Sequence, residues 1–517
     1  MNLKTFIKAF GAATLVLLLP IWSHLSPHHQ ALYHSFLPMQ SLMRGTLIQL
    51  IVLTVLAVLL FRYLENRKGL RGDLLWWLVA AMLAPGLVSS AAVLLHVGLS
   101  HLWPELLFYG VLLSALGLCW LRPALCEHGA RRIQLLLLLA GCSVFWMVPE
   151  LFFLAFRSQQ RDSPVPVVRT GLSPIRANIP HEGRRIIWLL FDELSYEQTF
   201  DRRFPGLLLP NFDRLRSESL TFADLKPAGP DTERVVPSLF LGHEIELLRS
   251  DLDGNPSIKL AGQTAWQRFD PKATLFFDAQ RLGWTTGLVG WYNPYCRILA
   301  GTLDYCFWRM GNGQWDGTSP AKSAWQNATV PLTNELLAWQ GKQSFTPQEK
   351  HASDLAALMP RAMALIQDQR IGFVFIHLPV PHPPGIYDRR SARISTTGSY
   401  IDNLALADRS LGELMDTIQA TPRAAETYVV VCSDHSWRVP LWRPTGFWKK
   451  EDEDASRGRF DPRPVLMIHS PGQQSEQEVT TLFDELRIHE ILEDLLRGVE
   501  PPFDKALVAG SHAVIKP

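Results

Sequence analysis

The sequence has almost no net charge: 50 Lys and Arg stand against 49 Asp and Glu over 517 residues, leaving +1. That balance excludes a nucleic-acid binder working through a global basic field, so no nucleic-acid partner is expected. Internal repeats and low-complexity tracts are also missing. Charged residues of any kind are sparse at 19%, against 47% apolar. Aromatics are not scarce: 17 Trp, 26 Phe and 10 Tyr supply core material, which rules out a disordered or fibrous chain. The length exceeds one average domain, so two or more folding units are expected.

The shortage of charge is uneven, because most of the apolar excess lies before residue 157. Five apolar stretches run roughly over Thr5–Trp22, Leu47–Leu64, Leu74–Val97, Leu106–Leu121 and Ile133–Phe156. Most approach the ~20 residues that a helix needs to cross a bilayer. Lys4 and Lys8 ahead of Ala12–Leu19 also suit a signal peptide, but no small-x-small cleavage site follows. The loops His24–Met43 and Leu99–Pro104 contain no Lys or Arg. Basic residues gather instead at Lys4 and Lys8, at Arg62, Arg67, Lys68 and Arg71, and at Arg122, Arg131 and Arg132. That asymmetry predicts a cytoplasmic N-terminus and five crossings, which export everything after residue 157. Arg157 and Arg161 oppose it weakly.

Residues 1–156 therefore read as a five-helix transmembrane domain, 157–184 as a proline-containing linker, and 185–517 as an exported domain. Cys296 and Cys306 are close enough in sequence for a small disulfide loop there, with two free thiols as the alternative. Short apolar runs at Arg185–Phe191, Gly372–Ile376, Thr427–Cys432 and Pro464–Ile468 read as buried strands. Helical patterns at Pro210–Ser217, Ser353–Gln369, Tyr400–Ala420 and Leu482–Leu496 alternate with them. Such alternation predicts an α/β domain, a mainly parallel sheet with helices on both faces.

In such sheets chemistry gathers at the carboxyl ends of the strands. The first run ends in Asp192-Glu193, the second in His377 and then His382, the third in Ser433-Asp434-His435. One acid after a strand is more often a helix cap, and one His is usually a loop residue. Three such ends together offer oxygen and nitrogen ligands suited to zinc or manganese. Thr232 opens the segment Asp231–Gly242, where it either caps a helix or presents a hydroxyl that can ligate metal and attack phosphorus.

These residues resemble the alkaline phosphatase superfamily in its sulfatase-like branch. The resemblance spans residues 184–500. It is carried by Asp192-Glu193, Pro210-Asn211-Phe212-Asp213-Arg214-Leu215, Pro237–Gly242, Tyr400–Asn403, Asp408–Gly412 and Ser433-Asp434-His435. With five preceding helices, the chain looks like the phosphoethanolamine transferases of lipid A and the lipoteichoic acid synthases. The resemblance implies a bacterial inner (cell) membrane protein, multi-pass, with its catalytic domain periplasmic or extracellular. It implies Thr232 as nucleophile, and zinc or manganese held by Glu193 (Asp192 as neighbour or alternate), Thr232, Asp434 and His435. The His377-x4-His382 spacing resembles the family's second histidine site, which makes these substrate-binding candidates, with His382 binding the transferred phosphate or a second metal.

Two departures shape the expected reaction. Sulfatases proper carry Cys or Ser followed by x-Pro-x-Arg, whereas here Thr232 precedes Glu233-Arg234-Val235-Val236, so sulfate-ester hydrolysis by formylglycine is not expected. The transferases continue Asp-His with Gly-Glu and a later His, whereas here Ser436-Trp437-Arg438 follows and Arg438 becomes a candidate phosphate clamp. The implied function is transfer of a phospholipid head group to a glycan or lipid-glycan acceptor through phospho-Thr. A membrane-tethered phosphatase or phosphodiesterase, and a non-catalytic descendant of the fold, are the alternatives.

Overall fold

The computed structural model describes residues 2–17, 33, 39–67, 69–94, 103–156, 184–251, 254–310, 346–499 and 515–516. They fall into two compact units. The expected linker up to residue 183 lies outside the described residues, as do the positions just after 17 and much of the two loops without Lys or Arg.

The N-terminal unit is helical: α1 (Leu3–Val16), α2 (Met39–Glu65), α3 (Leu70–Leu94), α4 (Trp103–Leu121), α5 (Pro123–Gly141) and α6 (Val144–Phe156). Among the described residues, two segments are long and apolar enough to cross a membrane. These are Met43–Glu65, of 23 residues and mean hydropathy 2.4, and Pro123–Phe153, of 31 residues and mean hydropathy 2.0. Leu106–Leu121 is a shorter apolar helix.

The fifth expected stretch differs from its reading. Pro123 sits at the first turn of α5, a position its missing N–H suits, so the helix starts well before Ile133. Arg131 and Arg132 therefore lie within a helix rather than in a loop, and the chain turns at Cys142-Ser143 before α6. Helices α1 and α5 approach closely through glycine. A Cβ on Gly11 would lie 2.1 Å from the Leu137 carbonyl oxygen, and one on Gly141 would lie 1.8 Å from that of Ile7. At the same crossing Lys8 pairs with Glu65 of α2 and donates to Gln134 Oε1 at 3.1 Å. Cys119 and Cys126 form a disulfide that the spacing did not suggest.

The second unit is built on a nine-stranded sheet. Its strands are β1 (Arg185–Phe191), β2 (Leu220–Phe222), β3 (Thr286–Tyr292), β4 (Tyr305–Met310), β5 (Phe373–Leu378), β6 (Thr427–Cys432), β7 (Leu466–His469), β8 (Gln477–Val479) and β9 (Ile515–Lys516). Their spatial order is β9-β8-β2-β7-β6-β1-β5-β3-β4. From β6 to β4 every pairing is parallel. The run read at Pro464–Ile468 is the exception, because β7 lies antiparallel to β6. Strand β3 escaped the sequence reading because two glycines interrupt its apolar run. Both are needed: a Cβ on Gly287 would meet Leu365 at 2.6 Å, and one on Gly290 would meet Tyr295 at 2.4 Å.

Both faces of the central strand are covered, which is why β1 reads as a continuous apolar run. Ile187, Leu189 and Phe191 join the core beneath α9 (Pro347–Gln367) and α10 (Tyr400–Gln419). On the opposite face Trp188 packs edge-on against Phe240 of α8 (Thr232–Leu241) and against Phe375. Helix α7 (Pro210–Ser217) forms as the sequence predicts, and Asp408 of α10 accepts from its Asn211 and Phe212 amides. The pattern at Leu482–Leu496 yields only Ile488–Leu496 as α-helix, because the Asp484 side chain caps a 3₁₀ turn ahead of it. Cys296 and Cys306 are joined, with Cα atoms 5.6 Å apart.

Burial also sets a pH dependence. His351 of α9 is fully buried, its Nε2–H donating to the Pro379 carbonyl at 2.8 Å. Burial pushes its pKa down from 6.5 to about 4, against the nearby Asp354 charge, which raises it. Below pH 6.5 the unfolded imidazole takes up a proton that the folded one refuses until about pH 4. Stability is therefore expected to fall through that window, by roughly 2 kcal/mol between pH 7 and pH 5 from this group. Denaturant midpoints of the full chain at the two pH values, compared with His351→Gln, check it. An equal loss in the variant would clear His351 of the effect.

Candidate metal and nucleophile site

The carboxyl ends of β1, β5 and β6 converge with the start of α8. Asp231 is the N-cap of α8, its side chain accepting from the Arg234 amide at 3.2 Å. The capping role is thus taken by Asp231, not by Thr232. Its hydroxyl instead donates to Asp434 Oδ2 at 2.7 Å and lies 3.4 Å from both Asp192 Oδ2 and His435 Nε2. Asn293, just beyond β3, fixes the backbone there by donating to the Thr232 carbonyl at 2.9 Å.

Asp192, Asp434 and His435 are all buried and present ligand atoms within 4.8 Å of one another. His435 Nδ1 lies 3.1 Å from the Ser436 carbonyl and Nε2 3.1 Å from Asp434 Oδ2; with the proton on Nδ1, the Nε2 lone pair faces the cluster. Burial, then the neighbouring Asp434 and Glu193 charges, push the Asp192 carboxyl well above its usual range. Its Oδ1 has no hydrogen-bond partner among the described residues. Burial opposes ionisation of Asp434 as well, but its pKa is lowered, and the hydrogen bonds it accepts from Thr232 and the Glu193 amide favour the carboxylate. An orphaned carboxylate oxygen beside a second carboxylate and an imidazole lone pair fits a divalent cation.

The adjacent acids Asp192 and Glu193 separate. Glu193 adopts φ of 62°, in the left-handed region, which turns its side chain away from Asp192. The turn is held by the Glu193 amide donating to Asp434 Oδ1 at 3.1 Å and by the Tyr400 hydroxyl donating to the Glu193 carbonyl at 2.7 Å. The Glu193 carboxylate accepts from Arg438 Nε at 2.6 Å and from Trp442 Nε1 at 2.9 Å. The sequence reading put Glu193 first among the ligands; the geometry puts Asp192 there. Glu193→Gln is accordingly expected to keep the metal content unchanged. It should cost about 2 kcal/mol of stability, because the largely buried Arg438 loses its charge partner. Loss of bound zinc in that variant would return Glu193 to the ligand set.

His377 supports the cluster from behind. Its Nδ1 accepts from the Tyr295 hydroxyl at 2.6 Å and its Nε2–H donates to Asp192 Oδ2 at 3.2 Å. Burial holds its pKa down to about 4, so it is neutral at pH 7. It orients a ligand rather than facing a substrate. His382 lies between Trp291 and Trp442, with ring centroids 5.1 Å from each. It is buried, and its Nδ1 has no partner among the described residues. The proline-rich turn that carries it is clamped by Asn403, whose Nδ2 donates to the carbonyls of His382 at 3.0 Å and Pro384 at 3.1 Å. In the segment after the Asp-His pair, Trp437 stacks on Tyr400 at 4.1 Å.

Asn293, Tyr295, Trp291 and Trp442 were missed by sequence reasoning. The first three follow or end the strand that its glycines disguised, and Trp442 carries no motif.

Over residues 184–491, more than half of the chain, the sequence matches the sulfatase family model. The chain belongs to the sulfatase family. That membership places it in the alkaline phosphatase superfamily, whose members use metal. No curated protein matches it in sequence. Several solved structures are similar to this sulfatase-family protein. A sulfatase from Pseudoalteromonas sp. is 16% identical, with 61% of this chain and 68% of that one covered and a TM-score of 0.42. A phosphonate monoester hydrolase of Agrobacterium radiobacter is 14% identical, covering 62% and 78%, TM-score 0.35. The murine ectonucleotide pyrophosphatase/phosphodiesterase 5 is 9% identical, covering 63% and 98%, TM-score 0.36.

Proposed function

We propose that this sulfatase-family protein is a membrane-anchored phospho-substituent transferase that works by double displacement at Thr232. One observation carries the reading: the Thr232 hydroxyl lies among the ligand atoms of Asp192, Asp434 and His435, relieved of capping by Asp231. A divalent ion held by those three residues and Thr232, zinc or manganese by its donors, would lower the pKa of the hydroxyl and draw charge from a phosphoryl group. Thr232 gives up its proton and attacks the phosphodiester of a membrane lipid, releasing diacylglycerol. The positive end of α8 would then lie beside the phosphoryl oxygens. Asp192 is kept in place by His377, and the Thr232 backbone by Asn293. A glycan or lipid-glycan hydroxyl takes the phospho-substituent in the second displacement. Thr232 cannot be converted to formylglycine, which favours phosphate over sulfate esters.

The N-terminal helices support confinement at a membrane, where a lipid donor reaches a high effective concentration. The Lys8–Glu65 pair supports the proposed topology, because it sets the basic start of α1 beside the basic loop that follows α2. In this reading the protein is multi-pass in a bacterial inner membrane with its enzymatic unit outside the cytoplasm.

One experiment tests both. Membrane vesicles of either orientation are supplied with radiolabelled phospholipid head group, and transfer to lipid-glycan is compared with release of free phosphate. Transfer only when the outer face is accessible is expected. Free phosphate or free head group as the sole product would make it a hydrolase, and no turnover in zinc-loaded protein would make it a non-catalytic relative.

A further inference from the structure

A groove of about 510 Å³ opens directly beside the cluster. Its walls are Pro227, Pro230, Pro440, Leu441, Phe460 and Pro462. The polar side chains lining it are those of His435, Ser436 and Arg438. Leu441 is 51% exposed and Phe460 is 46% exposed, an open apolar surface next to reacting groups. Ser436 is buried beneath this surface, and its Oγ has no hydrogen-bond partner among the described residues. The groove is continuous with the cluster through His435, whose Nε2 lies 3.4 Å from Thr232 Oγ1.

The wall chemistry selects against a sugar. Proline offers no N–H, and Leu and Phe offer no donor or acceptor, so each hydroxyl placed against them would lose its hydrogen bonds to water without replacement. Alkyl or aryl carbon gains there instead, by about fourfold in affinity for each methylene fully covered.

We infer that this groove receives the apolar alcohol of the phosphoester substrate, with Phe460 and Leu441 setting its preference. The inference rests on the phosphoester reading and deepens it by placing the leaving alcohol and naming the residues that select it. With the phosphoryl group at Thr232, the alcohol oxygen lies at the end of the groove lined by His435 and Arg438. The Thr232 Oγ–P bond forms and the P–O bond to the alcohol breaks. The alcohol oxygen departs with the bonding pair and takes up the proton that Thr232 releases, so a neutral alcohol is left in the groove. A glycan acceptor then enters from another side.

The test uses full-length protein in lipid nanodiscs, loaded with zinc, and two diesters that share one 2-aminoethyl group, its methyl and butyl phosphate esters, with release of methanol or butanol followed by gas chromatography. The butyl ester is expected to exceed the methyl ester in kcat/KM by at least about tenfold. That ratio should collapse toward one in Phe460→Ser and in Leu441→Ser, whose side chains are exposed enough to leave the fold standing. A wild-type ratio near one overturns the inference. If neither diester turns over, the phosphoester reading fails and binding decides the groove. Butylphosphonate held at least tenfold tighter than methylphosphonate, with the gain lost in Phe460→Ser, keeps it as an apolar site, and equal affinities overturn it.

Discussion

Replacing Thr232 by alanine is expected to lower turnover of a phosphodiester by at least about 10³-fold, because its hydroxyl lies within 3.4 Å of Asp192, Asp434 and His435 together. The fold should change by no more than about 1 kcal/mol. Asp231 caps α8, so the helix keeps its first-turn hydrogen bond without the Thr232 side chain. Thr232→Ser, which keeps the oxygen, should recover most of the rate. Rates of the two variants and their thermal midpoints separate loss of the nucleophile from loss of structure. If Thr232→Ala kept a tenth of wild-type turnover, the attacking group would lie elsewhere. Ser238 is a poor substitute, since its Oγ is committed to the Arg234 carbonyl and the Ile245 amide.

The second large effect concerns the cation. Asp192→Asn, Asp434→Asn and His435→Ala should each lower zinc affinity by well over tenfold, since each removes a ligand atom. His377→Ala should lower it by about tenfold through Asp192, which it orients at 3.2 Å. Elemental analysis of protein purified at one fixed zinc concentration reads all four. A variant at Asp192 that keeps its zinc while Glu193→Gln loses it would reverse the assignment made from the geometry.

Much of this arrangement was legible in the sequence, for reasons that can be named. Strands such as Arg185–Phe191 and Thr427–Cys432 are buried on both faces, so they appear as unbroken apolar runs that stop where the sheet stops. The polar residues just beyond them are then the strand-end residues, which brought Asp192, His377, Asp434 and His435 forward together. What failed was anything decided by a single backbone angle. Two consecutive acids look equivalent until Glu193 takes a positive φ and gives its carboxylate to Arg438. The β3 glycines fail for a different reason, because they are dictated by Leu365, distant in sequence, and by Tyr295 just beyond the strand, and they conceal the strand that delivers Asn293. The direction of β7 was hidden too, since a buried run reads the same both ways.

Helix α10 has a mechanical consequence. Tyr400 and Asn403 stand three residues apart, on one side of its first turn. The first grips the turn after β1 through the Glu193 carbonyl, and the second grips the turn after β5 through the His382 and Pro384 carbonyls. A single rod therefore clamps two walls of the site, like one hinge pin through two leaves. The walls are expected to loosen together or not at all. In Asn403→Ala, amide exchange should quicken at residues 193–195 as well as at 385–387; quickening confined to the second turn would show that the pin does not join them. A site so braced admits its substrates by rearranging side chains against fixed walls, not by parting the walls themselves.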